Sequence, residues 1–275
     1  MSDAPPPTPE APAVITVEDL AIGWGATPLL SDLNFTVRRG DVFVILGGSG
    51  CGKSTLLRHL IGLQEPMAGR IHIEGFGAPR LTTERPPFGM MFQSGALFGS
   101  MTLAENVALP LSKWTDLEPS AVDAVVRAKL RLVGLDGFEN HLPAEISGGM
   151  QKRAGIARAL AFDPPLLFLD EPSAGLDPIT AVELDETIHD LSQFLDTTLV
   201  IVTHELASVY KIATRCIMLD KDAGGMIASG DPRTLRDSSD VQYVKAFFNR
   251  CPVDEATGEE VQKLGRGGAP VGDTA

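Results

Sequence analysis

The chain has 275 residues, 44% of them hydrophobic, and a formal net charge of −13, which suits one large α/β domain or two small ones. Its acidity argues against binding to a nucleic-acid backbone or to anionic lipid, because both need a basic face. The sequence shows neither a signal-peptide pattern nor an apolar run near the roughly 18 residues of a membrane span. We therefore expect a cytoplasmic protein that reaches a membrane only through a partner.

The predicted elements begin after a proline-rich segment, residues 1–13, which lacks a hydrophobic pattern and predicts a disordered tail. Short β-branched and apolar runs then predict strands at Val14–Val17, Leu33–Val37, Val42–Leu46, Arg70–Glu74, Gly89–Phe92, Leu166–Asp170, Leu199–Val202 and Cys216–Leu219. Helical stretches alternate with these strands. The alternation predicts an α/β fold.

A helical segment at about 94–163 interrupts the strand pattern and predicts a helical subdomain inserted in the α/β core. Within it, apolar residues at helical spacing predict a helix at Ala121–Val133, with Gly134 as its C-cap. The main domain is expected to span residues 14–240. Residues 241–275 predict a C-terminal helix followed by a flexible, glycine-rich tail.

The segment GGSGCGKS matches the phosphate-binding pattern G-x-x-x-x-G-K-[ST], and it stands between an apolar strand and a predicted helix. Glycines let backbone N–H groups curl around a β-phosphate, and the helix N-terminus adds partial positive charge. Lys53 is expected to bridge the β- and γ-phosphates of ATP, and the Ser54 hydroxyl to ligate Mg²⁺. The predicted ATP-binding residues of this loop are Gly47, Gly48, Ser49, Gly50, Cys51, Gly52, Lys53, Ser54 and Thr55.

A second motif, LLFLDE, is an apolar strand that ends in two acids, Asp170 and Glu171. A continuous apolar run is typical of a strand buried on both faces. Asp170 is expected to hold Mg²⁺ through water, and Glu171 to orient or deprotonate the water that attacks the γ-phosphate. A solvated acid pair after a core strand is the common alternative for this motif taken alone.

The segment ISGGMQKR resembles the signature of ABC transporter ATPases, which usually reads LSGGQ followed by basic residues. Ser147 is a good N-cap residue, so Gly148 and Gly149 present bare amides at the start of a helix. In this family these amides meet the γ-phosphate bound by the other protomer. The resemblance therefore implies a homodimer, with each ATP held between one chain's phosphate loop and its partner's signature.

Four further positions match the same family. Gln93 stands where a glutamine touches Mg²⁺ and the attacking water, and His204 stands where a histidine contacts the γ-phosphate. Asp177, in the segment SAGLD, matches a loop that crosses the dimer interface. Trp24 stands where an aromatic ring stacks on adenine, with a core tryptophan as the alternative. The resemblance covers about residues 14–240 and implies the P-loop NTPase fold of an ABC nucleotide-binding domain, with a mixed sheet.

Within this family, the chain resembles the ATPases of Mce-type lipid-transport permeases, which include the Mla phospholipid system. The resemblance rests on Met150 in place of the usual glutamine, on QSGALF from Gln93, and on the segments SMTLAENV and DPIT. It implies an ATPase, peripheral on the inner membrane, that drives phospholipid transport through a separate permease. An Mce-domain substrate-binding protein and a small accessory protein are further partners that it implies.

Other functions remain open from the sequence. The ATPases of importers for amino acids or another small solute share much of the same motif sequence, so this function is an alternative. A non-transport ABC ATPase acting on nucleic acid or ribosomes usually has two cassettes or a coiled-coil insertion, which this sequence lacks. A regulatory nucleotide-binding module without turnover is disfavoured by Glu171 and His204.

Apolar residues follow Gln93 closely. Leu103 is expected in the helical subdomain, whereas Phe98 and Met101 flank a turn-like Gly-Ser pair and predict an exposed apolar contact for the permease.

Overall fold

The strands of the computed structural model form two sheets within the residues that it describes, 11–80 and 84–249. The strands are β1 Ala13–Trp24, β2 Thr27–Arg38, β3 Val42–Gly47, β4 Ala68–Ile73, β5 Phe88–Met91, β6 Leu166–Asp170, β7 Thr198–Val202, β8 Arg215–Asp220 and β9 Gly225–Gly230. The smaller sheet is antiparallel, in the order β2-β1-β4. The larger sheet has the order β5-β6-β7-β3-β8-β9 and is parallel except for β9. The predicted mixed sheet is confirmed.

Helices cover both faces of the larger sheet. They are α1 Lys53–Leu60, α2 Leu103–Trp114, α3 Pro119–Leu132, α4 Gly148–Ala159, α5 Pro178–Phe194, α6 Leu206–Ile212, α7 Pro232–Ser238 and α8 Gln242–Asn249, with a 3₁₀ turn at Pro143–Glu145. The helices α2, α3 and α4 lie between β5 and β6 in the chain, where the sequence predicts the helical insertion. Within the described ranges, no helix is both long and apolar enough to cross a membrane.

Two hydrophobic cores lie on opposite faces of the larger sheet. Alternate residues of each central strand point to opposite sides: in β3, Val44 joins one core and Ile45 the other. The helix-side core packs β3, β6, β7 and β8 against α2 to α6, and the small-sheet core packs the same strands against α1 and the antiparallel sheet. Burial on both faces explains why these strands read as continuous apolar runs.

The antiparallel strands are longer than the sequence predicts. β1 and β2 pair from Ala13–Arg38 to Trp24–Thr27, well beyond the predicted Val14–Val17 and Leu33–Val37. The pairing continues through polar positions because register shifts absorb them, and Asp19 takes a φ of 47° at one of these shifts. The hairpin strand β9 was not predicted, because its glycine-rich, half-exposed residues carry no alternating pattern.

The described structure also includes residues that the sequence assigns to the N-terminal tail. Ala13 belongs to β1, and the carbonyl of Pro12 accepts a hydrogen bond of 2.9 Å from the Arg39 backbone N–H. The prediction of a disordered tail is therefore wrong for residues 11–13, because β1 begins at Ala13 and the carbonyls of Ala11 and Pro12 accept hydrogen bonds from Arg38 and Arg39. The rest of the predicted tails, 1–10 and 250–275, lie outside the described residues.

The helix predicted at Ala121–Val133 begins at Pro119 and ends at Leu132. A proline in the first turn gives up no helical hydrogen bond, so the helix starts earlier than its apolar pattern. Gly134 follows the last turn with a φ of 72°, the left-handed conformation that ends many helices.

Candidate active site

Four of the predicted motifs follow the carboxyl ends of neighbouring parallel strands. The phosphate loop follows β3, Gln93 follows β5, Asp170 ends β6, and His204 follows β7. Ligands of open α/β sheets bind at this edge. A cavity of about 790 Å³ opens here, and it is lined by Trp24, Leu29, Gly47, Gly48, Ser49, Gly50, Gly52, Lys53, Ser54, Thr55, Gln93, Glu171, His204, Lys221 and Phe247.

The phosphate loop needs glycine at two positions for steric reasons. A Cβ on Gly47 would lie 2.4 Å from the carbonyl oxygen of Leu219, closer than any real contact, and Gly52 takes a left-handed φ of 104°. Gly52 is also the N-cap of α1 and supplies no side-chain acceptor. The first amides of α1 are therefore left for another acceptor, such as a phosphate oxygen.

Lys53 brings a cation to the wall of this cavity. Its side chain is largely buried, and its Nζ atom donates hydrogen bonds to the carbonyls of Gly47 at 2.9 Å and Gly48 at 3.0 Å. The ammonium group is thus held against the loop that surrounds the phosphate position. This geometry suits recognition of a phosphate chain.

Glu171 is held in a strained conformation beside His204. Its φ of 47° is left-handed, which costs on the order of 1–3 kcal/mol for a non-glycine residue. Its N–H donates to the Val202 carbonyl at 2.8 Å, and its two carboxylate oxygens lie 2.9 and 3.0 Å from His204 Nδ1. The sequence predicts separate roles for these two side chains and gives no sign that they contact each other directly.

Asp170 has the character of a carboxylate that a cation would stabilise. It is half-buried, and its Oδ1 atom has no hydrogen-bond partner in the described part of the chain. Burial raises the pKa of Asp170 above its usual range, and the neighbouring charge of Glu171 adds to this shift. A cation that takes oxygen ligands would give the Oδ1 atom a partner and would stabilise the charged carboxylate. Asp170 therefore fits a Mg²⁺ site, and the Ser54 hydroxyl and the Gln93 amide line the adjacent cavity.

Trp24 and Cys51, both predicted to bind ATP, lie in opposite environments. Trp24 ends β1 with 56% of its surface exposed and lines the cavity, so it is not a core tryptophan. Stacking on adenine stays a prediction. The Cys51 side chain is only 2% exposed and packs in the small-sheet core, where burial raises the pKa of its thiol despite the opposing charge of Lys53. Only the Cys51 backbone is therefore available to a ligand.

The signature residues and Asp177 do not line this cavity. Ser147 caps α4, and its Oγ accepts a hydrogen bond of 3.2 Å from the Met150 N–H. Asp177 caps α5 in the same way, accepting from Ile179 and Thr180 N–H groups at 3.1 Å. A Cβ on Gly149 would lie 2.3 Å from the Thr180 side chain, so the two caps lie side by side on another part of the same chain.

Several cavity residues were not predicted. Leu29, Lys221 and Phe247 come from β2, from the turn after β8 and from α8, and none of them was predicted as a site residue. The amphipathic pattern of α8 is the one signal that places Phe247 on a packed helix.

A second, largely apolar groove of about 330 Å³ lies beside the loop that follows Gln93. We call it the Phe98 groove; among its lining residues are Arg85, Phe92, Phe98, Leu109, Pro110, Lys113, Trp114, Arg158 and Phe162. Phe98 is 53% exposed, whereas Leu103 is fully buried in the helix-side core and Met101 is half-buried.

Buried Asn106 fixes the backbone that presents Phe98. Its Oδ1 atom accepts from the Phe98 N–H at 2.8 Å, and its Nδ2 atom donates to the carbonyls of Phe98, Met101 and Thr102 at 2.9 to 3.1 Å. Arg158 donates to the carbonyls of Gly95 and Ala96. The exposed ring therefore stands on a rigid loop.

Comparisons with known proteins agree with this geometry. The family model described as ABC transporter matches residues 30–174. The Mycobacterium tuberculosis protein named probable ribonucleotide transport ATP-binding protein mkl is 40% identical over 264 residues, covering 91% of this chain and 73% of that protein. The Escherichia coli intermembrane phospholipid transport system ATP-binding protein MlaF is 38% identical over 242 residues, covering 86% of this chain and 88% of that protein.

A solved structure, a dimeric ATP-binding cassette in a post-hydrolysis state bound to ADP and Pi, matches with a TM-score of 0.69 at 27% identity. The match covers 79% of this chain and 98% of that one.

Proposed function

Because the chain belongs to the ABC transporter family of ATP-binding proteins, we propose that it is the ATPase subunit that drives phospholipid transport through a separate permease. The observation that supports phospholipid most directly is the 38% identity to MlaF, which extends over most of both chains. The chain is an ATPase.

In the proposed mechanism, the amides of the phosphate loop and the Lys53 ammonium bind the phosphates, and Trp24 stacks on adenine. Glu171 accepts a proton from the attacking water, and the His204 imidazole holds the Glu171 carboxylate in place through Nδ1. Gln93 orients the water. Asp170, Ser54 and Gln93 would hold Mg²⁺, which supplies charge neutralisation to the phosphates when bound.

A homodimer would complete each site. In one chain the signature and Asp177 lie apart from the cavity, as expected if they serve a partner's nucleotide. ABC cassettes of similar structure are dimeric.

The Phe98 groove is our candidate for the permease contact. It combines apolar walls with the cations Arg85, Lys113 and Arg158, so it suits a short amphipathic helix that carries an acidic residue. Such a contact would make the chain peripheral on the inner membrane, at its cytoplasmic side. An Mce-domain protein and a small accessory protein belong to the same proposal.

The relative named for ribonucleotide transport, at 40% identity, favours a second candidate: the same ATPase serving a permease for a small soluble solute. Reconstitution of the chain with its co-purifying permease in vesicles separates the two. We expect ATP-dependent movement of a fluorescent phospholipid and none of a radiolabelled ribonucleotide. The reverse result would replace phospholipid by the second candidate.

Glu171→Gln tests the general base, since it preserves size while removing the basic charge. ATP should still bind, and turnover should fall by about 10²–10⁴, the range typical of acid–base catalysis. Steady-state phosphate release and equilibrium nucleotide binding measure the two effects. Glu186→Gln, which alters an exposed carboxylate paired with Lys211, is the control and should keep full turnover. Near-normal turnover in Glu171→Gln contradicts the assignment.

Ser147→Arg tests the shared site, because it places a bulky cation where a partner's γ-phosphate would meet bare amides. The ATP affinity of the monomer should hardly change, while nucleotide-dependent dimerisation is lost and turnover falls by about 10²-fold or more. Light scattering with ATP and phosphate release are the measurements. Ser120→Arg, on the exposed first turn of α3, adds the same cation elsewhere and should change neither. Loss of ATP binding by the Ser147→Arg monomer would rule out the shared-site arrangement.

Phe98→Asp tests the permease contact by placing a charge in the apolar groove. We expect permease pull-down to weaken, while the melting temperature stays within about 2 °C, because exposed substitutions usually change stability by about 0.5 kcal/mol or less. Phe194→Asp, at another exposed phenylalanine, is the control and should retain the permease. Retained pull-down with Phe98→Asp would place the contact elsewhere.

A further inference from the structure

Lys152 is a buried cation that joins two candidate catalytic segments. It lies on α4, the helix that starts at the signature, and only 7% of its surface is exposed. Its Nζ atom donates one hydrogen bond to the backbone carbonyl of Gln93 and another, of 3.2 Å, to the backbone carbonyl of Glu171. Lysine is rarely buried unless its ammonium group has such partners.

The Lys152 ammonium group serves backbone carbonyls of two different loops. Burial lowers the pKa of Lys152, and the carboxylates of Asp170 and Glu171 oppose this shift. An ammonium group has three donors in a tetrahedral arrangement, so it serves carbonyls that belong to different loops. A neutral apolar side chain of the same length would fill the space and serve neither.

One of the two carbonyls that Lys152 binds belongs to Glu171, whose backbone conformation is strained. The left-handed φ of Glu171 persists only if the surroundings hold it. Its N–H is held by the Val202 carbonyl, and its own carbonyl accepts from Lys152 and from the Ala174 N–H, each at 3.2 Å. Lys152 thus adds a cationic side chain to these backbone contacts.

We propose that Lys152 is a positioning residue that fixes the backbones of Gln93 and Glu171 against the signature helix, so that both side chains are correctly placed for hydrolysis. This inference rests on the proposed function, because it assumes the roles given to those two residues. In the proposed dimer, α4 begins where the partner's nucleotide binds. Lys152 therefore links the contact with the partner's ATP to the catalytic groups of its own site.

The test compares Lys152→Met with Lys129→Met in the full chain. Lys129 is buried to the same degree, lies on α3 and pairs with Asp163, so it controls for loss of a buried lysine. We expect Lys152→Met to lower kcat by up to about 10²-fold, the loss that a small misplacement produces, with an unchanged KM for ATP. Lys129→Met should keep kcat whatever its effect on the melting temperature.

Donor-retaining variants make the test specific to the hydrogen bonds. Lys152→Arg keeps the cation and its donors, and Lys152→Gln keeps a shorter donor if arginine does not fit. At least one of them should recover most of kcat. Wild-type kcat in Lys152→Met would overturn the proposal, as would folded arginine and glutamine variants that are no more active than methionine.

A double variant separates this proposal from the general-base assignment. If Lys152 acts through Glu171, adding Lys152→Met to Glu171→Gln should lower the residual turnover much less than it lowers that of the wild type. Full additivity would contradict positioning through Glu171, which the proposal requires. If Glu171→Gln proves active while Lys152→Met is not, the base assignment fails instead.

Discussion

The parallel pairing of β5, β6, β7 and β3 is the constraint on which the site depends. Their register sets Met91 beside Leu169, Asp170 beside Val202, and Val202 beside Ile45, so the strands end together at one edge. The strands β3, β6 and β7 are buried on both faces, and a slip of one residue would exchange the side chains that face the two cores. The hydrophobic effect thereby fixes the relative positions of side chains that come from four distant parts of the sequence.

The sequence predicted those parts of the site that obey local rules. The phosphate loop needs glycine at positions 47 and 52, and the sequence pattern predicts both. A pair of acids at the end of an apolar strand can likewise be identified from the sequence. Lys152, Lys221 and Phe247 escaped prediction because their importance comes from tertiary packing. The predicted ends of β1 and β2 were wrong for a related reason. Backbone pairing between these strands continues past bulges, which the alternation of side chains does not predict.

The site concentrates buried polar groups that a soluble fold normally keeps in water. Lys53, Lys152 and Glu171 are each at least nine-tenths buried. The two lysines donate to backbone carbonyls, and the Glu171 carboxylate contacts the His204 imidazole. Such groups cannot reorient freely, so their dipoles and charges stand in place before the substrate arrives. Preorganisation of this kind is a major source of transition-state stabilisation. The left-handed backbone of Glu171 shows that the surrounding contacts outweigh the local cost of this conformation.

The separation of the two cores has a consequence for how such a protein diversifies. The predicted phosphate loop and α1 rest on the small-sheet core, whereas the residues that α2 and α4 contribute to the Phe98 groove stand on helices of the other core. Substitutions far apart with no shared neighbours act almost independently. Substitutions on the α2 and α4 side of the proposed partner surface are therefore expected to leave the predicted phosphate loop almost unchanged. The same ATPase fold is in this way suited to work with permeases that transport different substrates.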